Sequence, residues 1–186
     1  MTKLLLALVG VVGLSVLLQF VFPGLQTRMR FARTATRLSL LPKSEYITAS
    51  RVPLGSYGKG ALIADYVIVS QYGVFVIQEK PYNGRVFGKQ DEARWTRVSF
   101  RQEQAFRNPL FRSRAQIDAL EGLLELDRSV FIPIVVFSGG ASSWAETSVD
   151  IIPGYQLRKT ILSYREPRLS YDEVQNSAIR VSGQSE

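Results

Sequence analysis

The hydrophobic pattern opens on an unbroken apolar run and then breaks into shorter segments of alternating or helical period. Leu4 to Phe22 is 19 residues without a charge, closed by Pro23-Gly24, and about 20 residues cross the hydrocarbon as a helix. A signal peptide is the rival reading, but its apolar core runs only ~7–15 residues and ends at a small-residue site that is missing here. The run has no polar face of the kind a surface helix carries. It predicts a transmembrane helix. Residues 27–41 predict a second helix, with Met29, Phe31, Leu38 and Leu41 as a partial apolar face ending at Pro42.

Period-two patterns follow. Residues 46–52 read as a strand, and Gly55 to Gly60 as a turn-rich stretch. Leu62 to Ser70 and Val74 to Glu79 are rich in Val, Ile and aromatics, and the short Gln71-Tyr72-Gly73 link makes them a hairpin. A brief strand over 85–87 lies between Gly84 and Gly88, and 95–101 alternates. Asn108-Pro109 starts a helix, Asn as its cap and Pro in its first turn, that runs to about Leu126 through Leu110, Ile117, Leu120 and Leu124. Val130 to Phe137 is the near-continuous run of a strand buried on both faces. Past Ser142 the pattern fades, and Gln175 to Glu186 reads as a frayed tail. The order helix, three or four antiparallel strands, helix, strand predicts an α+β or α/β sandwich with a mixed sheet.

Charge refines this picture. The chain of 186 residues has 23 bases against 16 acids, a net +7, and neither Cys nor His. Disulfides, zinc fingers, Ser-His or Cys nucleophile systems and imidazole metal sites are excluded, so any metal is held by oxygen; a hard cation such as Mg2+ suits. Residues 1–44 contain six bases (Lys3, Arg28, Arg30, Arg33, Arg37, Lys43) and no acid. One base precedes the apolar run and four Arg follow it closely, which by the positive-inside rule leaves the body of the protein in the cytoplasm, against anionic lipid headgroups. A second basic block, residues 80–114, holds nine bases and three acids.

Asp65 interrupts one apolar strand, and the next ends Gln78-Glu79-Lys80. On a strand Gln78 and Lys80 share one face and Glu79 the other. A carboxylate and an amide oxygen on neighbouring strands can hold a divalent cation, with a lysine to orient or deprotonate water, the wiring of metal-assisted phosphodiester hydrolysis. On spacing alone, an Asp65–Lys80 ion pair with Gln78 as a surface amide is the commoner arrangement.

Ala64 to Lys80 (ADYVIVSQYGVFVIQEK), then Tyr82-Asn83-Gly84-Arg85-Val86-Phe87-Gly88, Trp95, Asn108-Pro109-Leu110 and Val135-Val136-Phe137 together resemble the nuclease-related domain (NERD) family over about residues 45–140. That family is assigned to the PD-(D/E)xK nuclease-like superfamily, which implies an αβββαβ core. The resemblance implies Asp65 as the metal-binding aspartate and Lys80 as the catalytic lysine. Gln78 stands where the family usually has Glu, and Gln-x-Lys is similar to the Mrr-like branch. Glu79 faces away unless a bulge shifts the register; its main-chain carbonyl is the remaining metal ligand implied. The family's Gly-Glu pair is missing between residues 27 and 41, and its later Gln and His positions hold Arg112 and Gln116.

The implied division is an anchor over 1–23, a basic juxtamembrane segment over 24–44, a nuclease-like domain over 45–165 and a tail over 166–186. The implied activity is Mg2+-dependent cleavage of DNA or RNA by Asp65, Gln78 and Lys80, the cation held by Asp65, Gln78 and Glu79. Arg85, Lys89, Arg94, Arg97 and Arg101 would position the phosphate backbone without reading sequence. The alternative is a catalytically silent member that binds nucleic acid or a protein partner at the membrane, motivated by the lost Glu. A third is a structural subunit of a membrane complex or a homo-oligomer. For topology, a reporter fused after Glu186 is expected to be active on the cytoplasmic side; a periplasmic signal overturns that assignment.

Overall fold

The computed structural model describes residues 33–100 and 102–184. The apolar run at 4–22 with its expected membrane crossing, Arg28, Arg30 and Arg101 lie outside the described residues. Among the described residues no helix is long and apolar enough to cross a membrane.

Residues 33–39 form helix α1, which stops ahead of Pro42 as the sequence predicts. Then come β1 (Ile47–Tyr57), β2 (Gly60–Ser70), β3 (Gly73–Lys80), β4 (Arg85–Lys89), β5 (Arg94–Ser99) and β6 (Gln102–Arg107). Helix α2 (Pro109–Leu124) leads to β7 (Phe131–Phe137), β8 (Ser142–Glu146), β9 (Asp150–Pro153), α3 (Leu157–Ser163) and α4 (Tyr171–Ser182).

The strands form two sheets. The first has the order β1-β2-β3-β7-β9, antiparallel from β1 to β3 and parallel from β3 to β9. Both its faces are covered, which is why β3 and β7 read as continuous apolar runs. Val74 and Val76 join Ile117, Leu120, Val174 and Val181 on the α2/α4 side. Phe75 and Ile77 join Leu38, Leu157 and Ile161 on the α1/α3 side. Burying side chains of this size stabilises the fold by about 1.5–3 kcal/mol each.

The second sheet, β6-β5-β4-β8, grows out of the first. Beyond the paired ends of β3 and β7 the two chains stay side by side: Ser138 N–H donates to the Lys80 carbonyl, Ala141 N–H to Tyr82 and Ser142 N–H to Gly84, each at 3.0 Å. They then pair again as parallel β4 and β8. Gly139 sits at this crossing, where a Cβ would overlap the Tyr82 carbonyl. The inner face of the second sheet closes over Val86, Trp95, Leu110 and Phe137.

Four expectations need correction. Gly55 to Tyr57 continue β1, and the turn is only Gly58-Lys59. The strands at 85–89 and 94–99 leave the mixed sheet to build the second one, because the chain at Pro81-Tyr82-Asn83 follows residues 138–141 instead of doubling back on β3. Phe100, with φ +48, turns the chain into β6, whose polar, largely exposed QEQAFR sequence carries no period to detect. The tail expected from Gln175 is helical through Ser182, held by Val174, Ala178 and Val181 and by a Ser170–Glu173 capping box. That box is a Ser-x-x-Glu pattern visible in the sequence.

Two glycines make a paired test. At Gly88 a Cβ would collide with the buried Trp95 indole, whereas at Gly122, inside α2, nothing lies within 4 Å. Gly88→Ala is expected to destabilise the fold by about 1–3 kcal/mol, and Gly122→Ala to stabilise it by about 0.5–1 kcal/mol. Chemical denaturation reads both; equal effects would refute the packing assigned to Trp95.

Candidate active site

Asp65 occupies the point where β2 parts from β3. The last paired rung is Tyr66–Ile77. By the alternation of an antiparallel ladder, the next hydrogen-bonded rung would join Ala64 and Glu79. Instead the Asp65 side chain takes that position, its Oδ2 accepting the Glu79 N–H at 2.7 Å. Opposite Asp65, Arg51 on β1 has φ +55, a left-handed conformation that a side chain makes costly. Both strands lose their alternation here: Ala49 and Val52 lie in the same core cluster, as do their partners Val67 and Ala64. A coupled irregularity in two strands thus delivers the carboxylate to the end of β3.

Gln78 and Glu79 face opposite sides of the sheet, as period two requires. Gln78 is 2% exposed. Oriented to match its neighbours, its Nε2 donates to the Pro109 carbonyl (2.9 Å) and to Ser113 Oγ (3.1 Å), and its Oε1 accepts from Lys80 Nζ (3.2 Å). The first turn of α2 therefore dictates which end of the amide meets the lysine. That turn is itself anchored: Asn108 Oδ1 accepts from Leu110 N–H, while Nδ2 donates to the carbonyls of Lys89, Gln90 and Glu92. Gln78 is not the surface amide of the ion-pair arrangement.

Glu79 turns toward α1, where Thr34 Oγ1 donates to its Oε1 at 3.0 Å. Among the described residues its Oε2 and the Ser138 hydroxyl are buried without a well-aligned hydrogen-bond partner, although the hydroxyl is near enough to pull on the carboxylate. Burial raises its pKa and Asp65 adds to that; Ser138, Thr34 and Arg37 act the other way. Burial likewise raises Asp65, opposed by the Glu79 N–H, Lys80 and Arg112. Lys80 is pushed down by burial and by Arg112, and drawn up by Asp65.

Helix α2 supplies the rest. Arg112 donates to the carbonyls of Ala61 and Ile63, and Gln116 Nε2 to Ile63 at 2.8 Å, while Gln116 Oε1 is buried without a partner among the described residues. Asp65, Lys80 and Arg112 sense one another electrostatically, and Asp65 also acts on Glu79. Among the described residues no three His, Cys, Asp or Glu side chains gather as a metal cluster. The donor chemistry nonetheless fits a hard cation: the Gln78 nitrogen is spent on Pro109 and Ser113, so the amide presents oxygen toward the lysine beside Asp65.

The basic residues singled out in the sequence divide between the two faces of the second sheet. Arg85, Lys89 and Arg94 are exposed on the outer face, with Lys89 3.8 Å from Glu146. Arg97, opposite buried Val86, lies on the inner face over the Tyr82 ring at 5.0 Å and donates to Gln104 Oε1.

A family model described as a nuclease-related domain matches residues 29–138. An uncharacterised protein of Bacillus anthracis is 31% identical over 139 residues, which cover 73% of this chain and 65% of that protein. The match thus spans somewhat less than two thirds of the relative's length. No solved structure matches the chain.

Glu79 offers a test of the electrostatics. Its raised pKa means that its contribution to stability is fully present below the ordinary glutamate value, about 4.3, and is lost as pH rises through the native value. Glu79→Gln removes that loss. Its stability relative to wild type, measured by urea unfolding in chelator, is expected to improve from pH 4 to pH 8, by about 1.4 kcal/mol for each tenfold by which folding tightens proton binding at this carboxylate. Any pH-independent change in hydrogen bonding cancels from the slope. Parallel profiles would contradict the raised pKa.

Proposed function

The chain belongs to the nuclease-related domain family, and from that premise we propose that it hydrolyses the phosphodiester backbone of nucleic acid at Asp65, Gln78 and Lys80, with Mg2+. The observation that carries this reading is the Gln78 Oε1 held 3.2 Å from Lys80 Nζ, next to a carboxylate taken out of the strand ladder. The order α1-β1-β2-β3-α2-β7 is consistent with the αβββαβ core of the PD-(D/E)xK superfamily.

The roles follow from the environments. The Asp65 carboxylate, Gln78 Oε1 and the Glu79 main-chain carbonyl would hold the cation, which when bound would polarise the phosphate and lower the pKa of water. Lys80, buried beside Asp65 with its Nζ 3.2 Å from Gln78 Oε1, is suited to orienting the attacking water. Arg112 adds positive charge where a phosphate would sit. The apolar run at 4–22 would tether the domain to the cytoplasmic face of a membrane.

Arg112 also favours a second reading. With Gln78 neutral, Lys80 and Arg112 stand against the carboxylates of Asp65 and Glu79, which leaves no surplus of negative charge to draw a divalent cation. A catalytically silent domain that grips phosphate would have this charge. Full-length protein in detergent, incubated with plasmid, single-stranded DNA and RNA with and without Mg2+ or Mn2+, separates the two. Hydrolysis that requires metal and falls by about 10²-fold or more in Asp65→Ala and in Lys80→Ala is expected. Undiminished cutting in both variants overturns the site, and salt-sensitive binding without cutting establishes the second reading.

A further inference from the structure

The outer face of the second sheet bears an aromatic pair that no core requires. Phe87 on β4 and Trp144 on β8 are directly opposite in the parallel register. Their rings stack with centroids 6.5 Å apart and an interplanar angle of 23°. Both are exposed, Phe87 at 38% and Trp144 at 64%. On β4 the outward positions alternate Arg85, Phe87, Lys89, all exposed, and Arg94 lies on the same face of β5. The inward residues Val86 and Trp95 already satisfy the core, so burial does not explain the outward aromatics.

We propose that this face is a stacking platform for single-stranded nucleic acid, Phe87 and Trp144 receiving bases while Arg85, Lys89 and Arg94 hold phosphates. The proposal rests on the reading of the chain as acting on nucleic acid, and it names the form of the substrate. The face of a sheet can meet base faces only where they are unstacked from a complementary strand, and aromatic rings between cations match the alternation of bases and phosphates. Charge sets this ligand apart from an apolar protein partner, since on this face Arg85, Lys89, Arg94 and Arg107 outnumber Glu103 and Glu146, the latter 3.8 Å from Lys89. Placement agrees too. Arg85 follows Lys80 by five residues, at most about 17 Å of chain, and that linker is hydrogen-bonded to residues 138–142. A strand lying on the platform is therefore held at a fixed position relative to Lys80.

The chain has two tryptophans. Trp95 is 1% exposed, so quenching by a ligand reports on Trp144. Full-length protein in detergent and chelator would be titrated with fluorescein-labelled oligo-dT, oligo-U and a DNA duplex of equal length. Single strands are expected to quench tryptophan emission. Trp144→Ala and Phe87→Ala should each weaken single-strand binding by about 5- to 100-fold, Trp144→Phe should restore most of it, and duplex binding should change little. Tyr171→Ala, which removes an exposed aromatic on α4 instead, should bind oligo-dT as wild type does. Equal affinity of wild type, Trp144→Ala and Phe87→Ala for single strands overturns the platform and leaves hydrolysis at Asp65 and Lys80 standing. Binding of no nucleic acid at all overturns both.

Discussion

The parallel pairing of β3 with β7 is the constraint on which the rest depends. Seven rungs, from Val74–Phe131 to Lys80–Phe137, join two strands that are apolar on both faces. Parallel strands need a crossover, and α2 supplies it. The crossover sets the start of α2 over the end of β3, where Pro109 and Ser113 orient the Gln78 amide. Past the last rung the same two chains remain hydrogen-bonded and seed the second sheet. Candidate site and basic sheet are thus successive parts of one parallel ribbon.

The end of that ribbon concentrates features that are costly in isolation. Asp65 and Glu79 are buried carboxylates whose pKa values burial raises, Lys80 is an ammonium that burial depresses, and Arg51 holds a left-handed backbone. Among the described residues, Gln116 and Glu79 each keep a buried oxygen without a well-aligned partner. A fold selected for stability alone would gain by replacing them with apolar residues. Their gathering at one strand end is the pattern of a functional site. The cost is spread: the Glu79 N–H satisfies Asp65, and Thr34 satisfies one oxygen of Glu79.

The elements legible in the sequence were those with strong local signals. The β2–β3 hairpin, the Asn108-Pro109 helix start and the doubly buried β7 lie within a few residues of where periodicity puts them. The second sheet was not legible, because β6 and β8 are half-exposed strands of mixed polarity that owe their existence to neighbours. Helix α4 was missed although its Ser170–Glu173 cap is written in the sequence. At the site, period two correctly places Gln78 and Glu79 on opposite faces. It does not foresee that Asp65 leaves the alternation, since the irregularity belongs jointly to β1 and β2.

The sequence by itself determined the residue types at the site, the opposed faces of Gln78 and Glu79, the family and the locations of the two basic zones. Each of these is a property of composition, period or order, which survives without coordinates. Only the tertiary structure decided that the Gln78 oxygen meets Lys80, that Arg112 shares the site with Asp65, and that the basic block divides between two faces of a sheet. These depend on contacts between residues distant in sequence: α2 against β3, and β4 against β8. Hydrogen-bond geometry and burial at such contacts choose among orientations that a one-dimensional pattern leaves equivalent.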